Sequence, residues 1–366
     1  MLIGVPQERK DNENRVGMTP AGVQKLVSNG HTVRIEEGAG RGSGISDDAY
    51  RQAGAEFVGQ DDSWDVDMVV KVKEPLESEY GYLDDQLIFT YFHLAAFPDL
   101  TEKLLDTDVT AVAYETVEEG GDLPLLRPMS QVAGRMAPLM GAYYQTRHNN
   151  GRGVLPPGMP GVEPADVTVV GGGTVGKNAA EVAAGMGADV TVLEIDQARM
   201  EHLEDVLPAN VDTVLSNEVN IEKHVTGSDI VVGAVLVPGA AAPEVVTEDH
   251  VRGMDDGSVI VDVAVDQGGC VATTRPTHHS DPTYVEHGVV HYAVTNMPGA
   301  YARTATYGLT NATIDYAVEL ADKGWKQACQ DNPALRKGLN VAGGRVTEQP
   351  VAEEFGMDYT PPEDLL

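Results

Sequence analysis

The chain has 366 residues, with 57 acidic against 25 basic side chains and a formal net charge of −32. Such a charge repels nucleic acid and anionic membrane, and a 42% hydrophobic content spread through periodic segments excludes a disordered acidic protein. No run reaches the roughly 18 apolar residues of a membrane span, and the start Met1-Leu2-Ile3-Gly4-Val5 reads as a strand, not a secretion signal. A soluble cytoplasmic protein of two domains is expected. Self-repulsion of this size weakens a fold when the Debye length is long, so adaptation to high salt is expected as well. Cys270 and Cys329 fit no zinc spacing, and neither a metal site nor a disulfide framework is expected.

In chain order, a strand at Met1–Val5 precedes a helix at Thr19–Asn29, with Thr19 as cap, Pro20 in the first turn and Gly30 as the stop. A strand at His31–Glu36 follows, then strands at Asp67–Val72, Gln86–Phe92 and Val109–Glu115, with helical spacing over Phe97–Asp106. A long helix from Pro128 to about Asn149 reads as a connector, and a Gly/Pro-rich loop covers Gly151–Pro164. A second run then has strands at Asp166–Val170, Asp189–Glu194, Asp229–Val235, Ser258–Val265 and Val289–Thr295. A helix from about Tyr307 to Lys323 closes it and is a candidate to return to the first unit; the tail after Gly343 reads as less regular. The alternation predicts an α/β protein of two Rossmann-like doubly wound domains with a cleft between them.

The central motif is Gly171-Gly172-Gly173-Thr174-Val175-Gly176 after the β-branched run Val167-Thr-Val-Val170. A lone G-x-G-x-x-G is weak evidence, but here a strand precedes it, a small-residue helix follows, and a second strand ends in Glu194, 18 positions after Gly176. Gly171 permits the turn, Gly173 admits a pyrophosphate and Gly176 lets helix and strand approach, while the helix N-terminus offers its N–H groups to the phosphates. A carboxylate at Glu194 can accept from ribose hydroxyls and would repel a 2′-phosphate, which favours NAD over NADP.

Three further residues lie just past the ends of apolar strands, where a ligand belongs. Arg15 can grip a carboxylate, Lys73 can polarise a carbonyl, and His93 can move protons near neutral pH. Lys71 competes with Lys73, because alternation puts both on one strand face. Asp266 reads as the end of a buried strand ahead of Gly268-Gly269, with Asp262 as its mid-strand rival.

With these residues in place, the chain resembles the bacterial-type alanine dehydrogenases, within the broader alanine dehydrogenase and nicotinamide nucleotide transhydrogenase family, along nearly its whole length. The resemblance is carried by Gly4-Val-Pro-Gln-Glu8, Arg15-Val-Gly-Met-Thr-Pro20, Val72-Lys-Glu-Pro75, His93-Leu-Ala-Ala96, Tyr114-Glu-Thr116, Pro128-Met-Ser-Gln-Val-Ala-Gly134, Gly233-Ala-Val-Leu-Val-Pro-Gly239, Asp262-Val-Ala-Val-Asp-Gln-Gly-Gly269 and Asn296-Met-Pro-Gly-Ala300. It implies reversible NAD-dependent deamination of L-alanine to pyruvate and ammonium. It implies Arg15 and Lys73 as substrate ligands and His93 with Asp266 as the catalytic pair. It carries cofactor contacts to Ser130, Thr174, Val175, Glu194, Arg199, Ser216, Val235, Leu236, Val263, Asp266, Arg275 and the segment Val294–Met297, which includes Asn296 and Met297. It further implies a homohexamer, and a substrate domain of 1–127 with 303–366 around an NAD-binding domain of 128–302. Two positions depart from the commoner family pattern: Gly172 stands where Ala is usual and Glu194 where Asp is usual; neither alters the expected reaction. The competing readings are another amino-acid or oxo-acid dehydrogenase of this fold, such as a saccharopine-type enzyme, a soluble transhydrogenase subunit, and a non-catalytic NAD-binding protein.

Overall fold

The computed structural model describes residues 1–235 and 242–366. It divides into two units, residues 1–129 with 301–366, and residues 130–300.

In the first unit six strands run parallel: β1 (Leu2–Val5), β2 (Thr32–Glu36), β3 (Glu56–Val58), β4 (Met68–Val70), β5 (Leu87–Thr90) and β6 (Thr110–Ala113). The second unit is built on β7 (Asp166–Val170), β8 (Asp189–Glu194), β9 (Val211–Leu215), β10 (Ile230–Gly233), β11 (Val259–Asp262), β12 (Thr283–Glu286) and β13 (Val289–Tyr292). The chain then returns to the first sheet with β14 (Leu339–Ala342) and β15 (Arg345–Val346). The sheet orders are β15-β14-β6-β5-β4-β1-β2-β3 and β12-β13-β11-β10-β7-β8-β9. The first contains the doubly wound order 3-2-1-4-5-6 and the second 3-2-1-4-5 with β13 in the sixth place, so each has a switch point where the chain reverses direction across the sheet, between β1 and β4 and between β7 and β10. The sheets are not wholly parallel: β14 is antiparallel to β6 and to β15, and β12 to β13, each pair at a sheet edge.

The strands read as continuous apolar runs because both faces are covered. Val69, Ile88 and Ala111 pack with Leu100 and Leu104 of the helix Pro98–Leu105 in the first unit, and Val167, Val190, Ile230 and Val259 with alanines of the helix Thr174–Gly185 in the second. Thr19 caps the helix Pro20–Ser28, its hydroxyl accepting from the Gly22 N–H.

Two expectations are corrected in extent. The late helix runs Ala302–Asp331, broken at Gly324 by φ 74°, and Lys25 pairs with its Asp315. The tail holds β15 and the helix Gln349–Phe355. A two-residue strand and a seven-residue helix are too short to show a period, and both are held by packing, Val346, Val351 and Ala352 being buried beside β14.

Candidate active site

The first unit gathers its charged residues past the ends of β1, β4 and β5. Arg15 is buried to 2% exposure, and its Nε and Nη2 donate to the two oxygens of buried Glu13 at 2.7 and 2.5 Å. The Glu13 carboxylate also takes the Arg15 N–H at 3.0 Å, so one edge of the guanidinium is fixed by its own loop. Its Nη1 lies 3.0 Å from the Met129 sulfur. A buried, charged fork held this rigidly loses little freedom when it grips an anion.

Lys71 and Lys73 do not share one environment, contrary to the alternation argument. The regular strand ends at Val70. The Lys71 ammonium is fully buried, 3.3 Å from Glu8 and 3.2 Å from Glu79. Burial works to lower its pKa, and the two carboxylates outweigh that and leave it raised. The same carboxylates accept the N–H groups of Val72 and Leu76, so Lys71 braces the segment on either side of Lys73. Lys73 is half-buried, and its carbonyl accepts from the Thr90 hydroxyl at 3.0 Å.

His93 follows β5 in the left-handed region, at φ 50°. That conformation costs a non-glycine residue about 1–3 kcal/mol. Glu115 at the end of β6 holds it, accepting the N–H of His93 at 2.6 Å and of Phe92 at 3.1 Å. The imidazole stacks on Tyr91, ring centroids 5.9 Å apart, and the Tyr91 hydroxyl donates to the Leu125 carbonyl. Desolvation first, then the cations Lys73, Lys10 and Arg15, push the His93 pKa down to about 3. With 40% of the side chain still exposed, water relieves part of the desolvation, and the three cations keep the direction downward. Both influences favour the neutral imidazole over the charged one. Burial conversely raises the Glu115 carboxyl to about 6.

In the second unit the glycine turn closes the β7 end. Gly171 has φ 100°, and a Cβ there would stand 2.9 Å from the Ala234 carbonyl across the switch point. A Cβ on Gly176 would lie 1.8 Å from the Gly171 carbonyl, whereas one on Gly173 would meet nothing within 4 Å. The open face above Gly173, with Thr174 and Val175 beginning a helix of 12 residues, is the opening a pyrophosphate needs. Glu194 accepts the Gly172 N–H at 2.8 Å, Arg199 Nε donates to the Gly172 carbonyl at 2.7 Å, and the Ser216 N–H donates to the Glu194 carbonyl at 2.8 Å. Glu194 and Arg199 thus meet at Gly172, and Ser216 is tied to Glu194.

The remaining expected contacts are more scattered. Val235 and Val263 are half-buried, Val294 and Met297 buried, Asn296 takes φ 62°, Ser130 sits in the first turns of the helix Arg127–Tyr144, and exposed Arg275 lies over the Tyr284 ring at 3.9 Å. Leu236 lies outside the described residues. Asp266 is corrected: β11 ends at Asp262, and Asp266 is exposed on the 3-10 turn Val263–Gln267. Asp262 is wholly buried and accepts from the N–H groups of Ala264, Cys270 and Val271 and from the Thr274 hydroxyl, so it ties down the turn that carries Asp266.

Glu13, Glu115 and Glu8 were not singled out as site residues from the sequence. Glu8 and Glu115 lie inside motifs that carried the resemblance, and Glu13 lies two residues before Arg15; their partners are set by the folded chain.

A doubly wound unit with a glycine turn and a second doubly wound unit with buried cations and a half-buried histidine define a two-unit α/β dehydrogenase. The N-terminal and C-terminal domain patterns of the alanine dehydrogenase/PNT family match residues 4–133 and 137–349, and the chain belongs to that family. It is 53% identical to alanine dehydrogenase of Bacillus subtilis (strain 168) over all of this chain and 98% of that one. It is 54% identical to alanine dehydrogenase of Staphylococcus epidermidis over the full length of both. A solved L-alanine dehydrogenase superposes with a TM-score of 0.94 at 50% identity, covering 97% of this chain and 99% of that one. A transhydrogenase from Sinorhizobium meliloti shares the fold, with a TM-score of 0.82 at 23% identity over 95% of this chain and 99% of that one.

Proposed function

We propose that the chain catalyses the reversible, NAD-dependent deamination of L-alanine to pyruvate and ammonia. The observation that carries this reading is the buried Arg15–Glu13 fork, with Arg15, Lys73 and Lys10 near enough to His93 to disfavour its charged form, a combination suited to a small carboxylate with a reacting oxo or amino group. Identity above 50% to alanine dehydrogenases over the whole chain supports it.

The glycine turn fits NAD: Gly173 leaves the approach open, the helix from Thr174 offers its N–H groups, and Glu194 presents a carboxylate where a 2′-phosphate would be repelled. When bound, the dinucleotide accepts or supplies the hydride. In the alanine-forming direction Arg15 anchors the pyruvate carboxylate and Lys73 polarises the keto oxygen. Ammonia adds to the carbonyl carbon to give a carbinolamine. His93 takes up a proton and returns it to the departing hydroxyl, so that water leaves and the iminium remains. The bound carboxylate offsets the cations that depress His93 and makes that protonation easier. Asp266 orients ammonia and stabilises the positive nitrogen. The further contacts proposed for the dinucleotide are those of Ser130, Val175, Arg199, Ser216, Val235, Leu236, Val263, Arg275, Val294, Asn296 and Met297.

Among the described residues no helix is long and apolar enough to cross a membrane. A cytoplasmic homohexamer, adapted to salt through its charge of −32, completes the proposal. The test is NADH oxidation with ammonium and a panel of 2-oxo acids, scanned from dilute buffer to molar salt. Pyruvate should be turned over fastest and rate and Tm should rise with salt. Preference for a larger or diacidic oxo acid would refute the substrate, and full stability in dilute buffer would refute the salt adaptation.

A further inference from the structure

Gly172 and Gly173 are the glycines of the turn that the backbone does not require, and of the two only Gly172 has side chains packed where a Cβ would stand. Gly171 needs its positive φ, and Gly176 must clear the Gly171 carbonyl. Gly172 lies outside the left-handed region, so an alanine is conformationally allowed there. What a Cβ on Gly172 would meet is two side chains, Leu203 Cδ1 at 2.7 Å and Glu194 Oε2 at 2.9 Å. That same Oε2 accepts the Gly172 N–H at 2.8 Å.

The remaining bonds say which oxygen is left for a ligand. Glu194 Oε1 takes the N–H groups of Ile195 at 2.7 Å and Asp196 at 3.0 Å. A carboxylate offers about four acceptor positions, two on each oxygen. Oε1 uses both of its positions and Oε2 one, so the remaining acceptor sits on the oxygen packed against Gly172. Arg199 holds the Gly172 carbonyl from the other side, and its own N–H is fixed by Asp196 at 2.8 Å.

We infer that Gly172 is a specificity-determining residue: its missing side chain is the seat of the Glu194 carboxylate, and that seat aims Oε2 at the adenosine ribose of the dinucleotide. The inference rests on the dinucleotide reading above. An alanine at 172 pushes the carboxylate off its seat without straining the backbone. An aspartate at 194 is one methylene shorter and withdraws from the position a Cβ would occupy. Gly172 and Glu194 therefore act as one unit.

The experiment is a fluorescence titration of the full-length protein with NADH and with NADPH, on wild type, Gly172→Ala, Glu194→Asp and the double variant. Gly172→Ala should weaken NADH binding about tenfold, as expected for a lost charge-assisted hydrogen bond. It should weaken NADPH binding less, so the preference between the two narrows. The double variant should bind NADH several-fold better than the product of the single losses. Independent losses in the double variant overturn the pairing. Gly172→Ala/Leu203→Val removes the other contact and guards against a folding defect; a penalty that disappears in it assigns the effect to Leu203 and overturns the inference. A wild type that binds neither nucleotide sinks the dinucleotide reading itself, a different result from independent losses in a protein that binds.

Discussion

The two units share the strand order 3-2-1-4-5 and build their proposed ligand sites by opposite means. The first works with buried charge: Arg15 with Glu13, Lys71 with Glu8 and Glu79, and the His93 turn on Glu115. The second works with absent side chains and backbone: Gly171, Gly172, Gly173 and Gly176 make room, and peptide N–H groups fix Glu194 and Asp262. A small acid with a reacting centre needs strong, oriented charge in a dry site. A long dinucleotide needs clearance and many weak donors. The difference follows the ligand each unit is proposed to hold.

The first unit should accordingly be fragile toward loss of a charge. Glu13→Ala leaves the Arg15 guanidinium buried without its carboxylate and should cost about 3–5 kcal/mol in urea unfolding. Arg15→Lys keeps the charge and loses the fork, so it should raise the pyruvate KM about 10–100-fold with kcat nearly unchanged. A kcat loss equal to the KM effect would move Arg15 from anchoring to chemistry.

The second unit should be sensitive to volume instead. Gly176→Ala forces a Cβ into the Gly171 carbonyl and should cost about 1–3 kcal/mol of stability. Gly173→Ala meets no protein atom and should leave Tm within about a degree or two while weakening NADH binding. Equal destabilisation by the two alanines would break the distinction between packing glycine and ligand glycine.

The smallest effect is a titration. The His93 pKa is lowered to about 3 in the fold against 6.5 in the unfolded chain. Between these values the unfolded chain takes up a proton that the fold refuses. Stability from His93 is thus present above pH 6.5 and is lost as pH falls toward 3. NMR of the ring should show neutral imidazole from pH 8 down to about 5; protonation midway near 6.5 would remove the cationic environment from the account.

Legibility in the sequence divides along the same line. The glycine turn, Glu194 and β7 and β8 are local patterns, and β7 and β8 fall where the sequence puts them. Short edge strands such as β12 and β15 have no period to read, and packing decides them. Glu13, Glu115 and Asp262 act as acceptors for groups that the fold delivers, so their roles exist only in the folded chain. Gly172 and Glu194 were visible as two minor departures, and the 2.9 Å between a Gly172 Cβ and Glu194 Oε2 makes them one feature. Lys71 and Lys73 could not be separated by alternation, because the strand ends before either.

The most direct test of the proposal that His93 serves the chemistry and the second unit holds the dinucleotide is one paired measurement on His93→Ala: kcat for pyruvate amination and Kd for NADH by fluorescence. The account predicts that kcat falls by about 10²–10⁴ while Kd stays within about threefold. Retained turnover, or a Kd that rises as far as kcat falls, would contradict it.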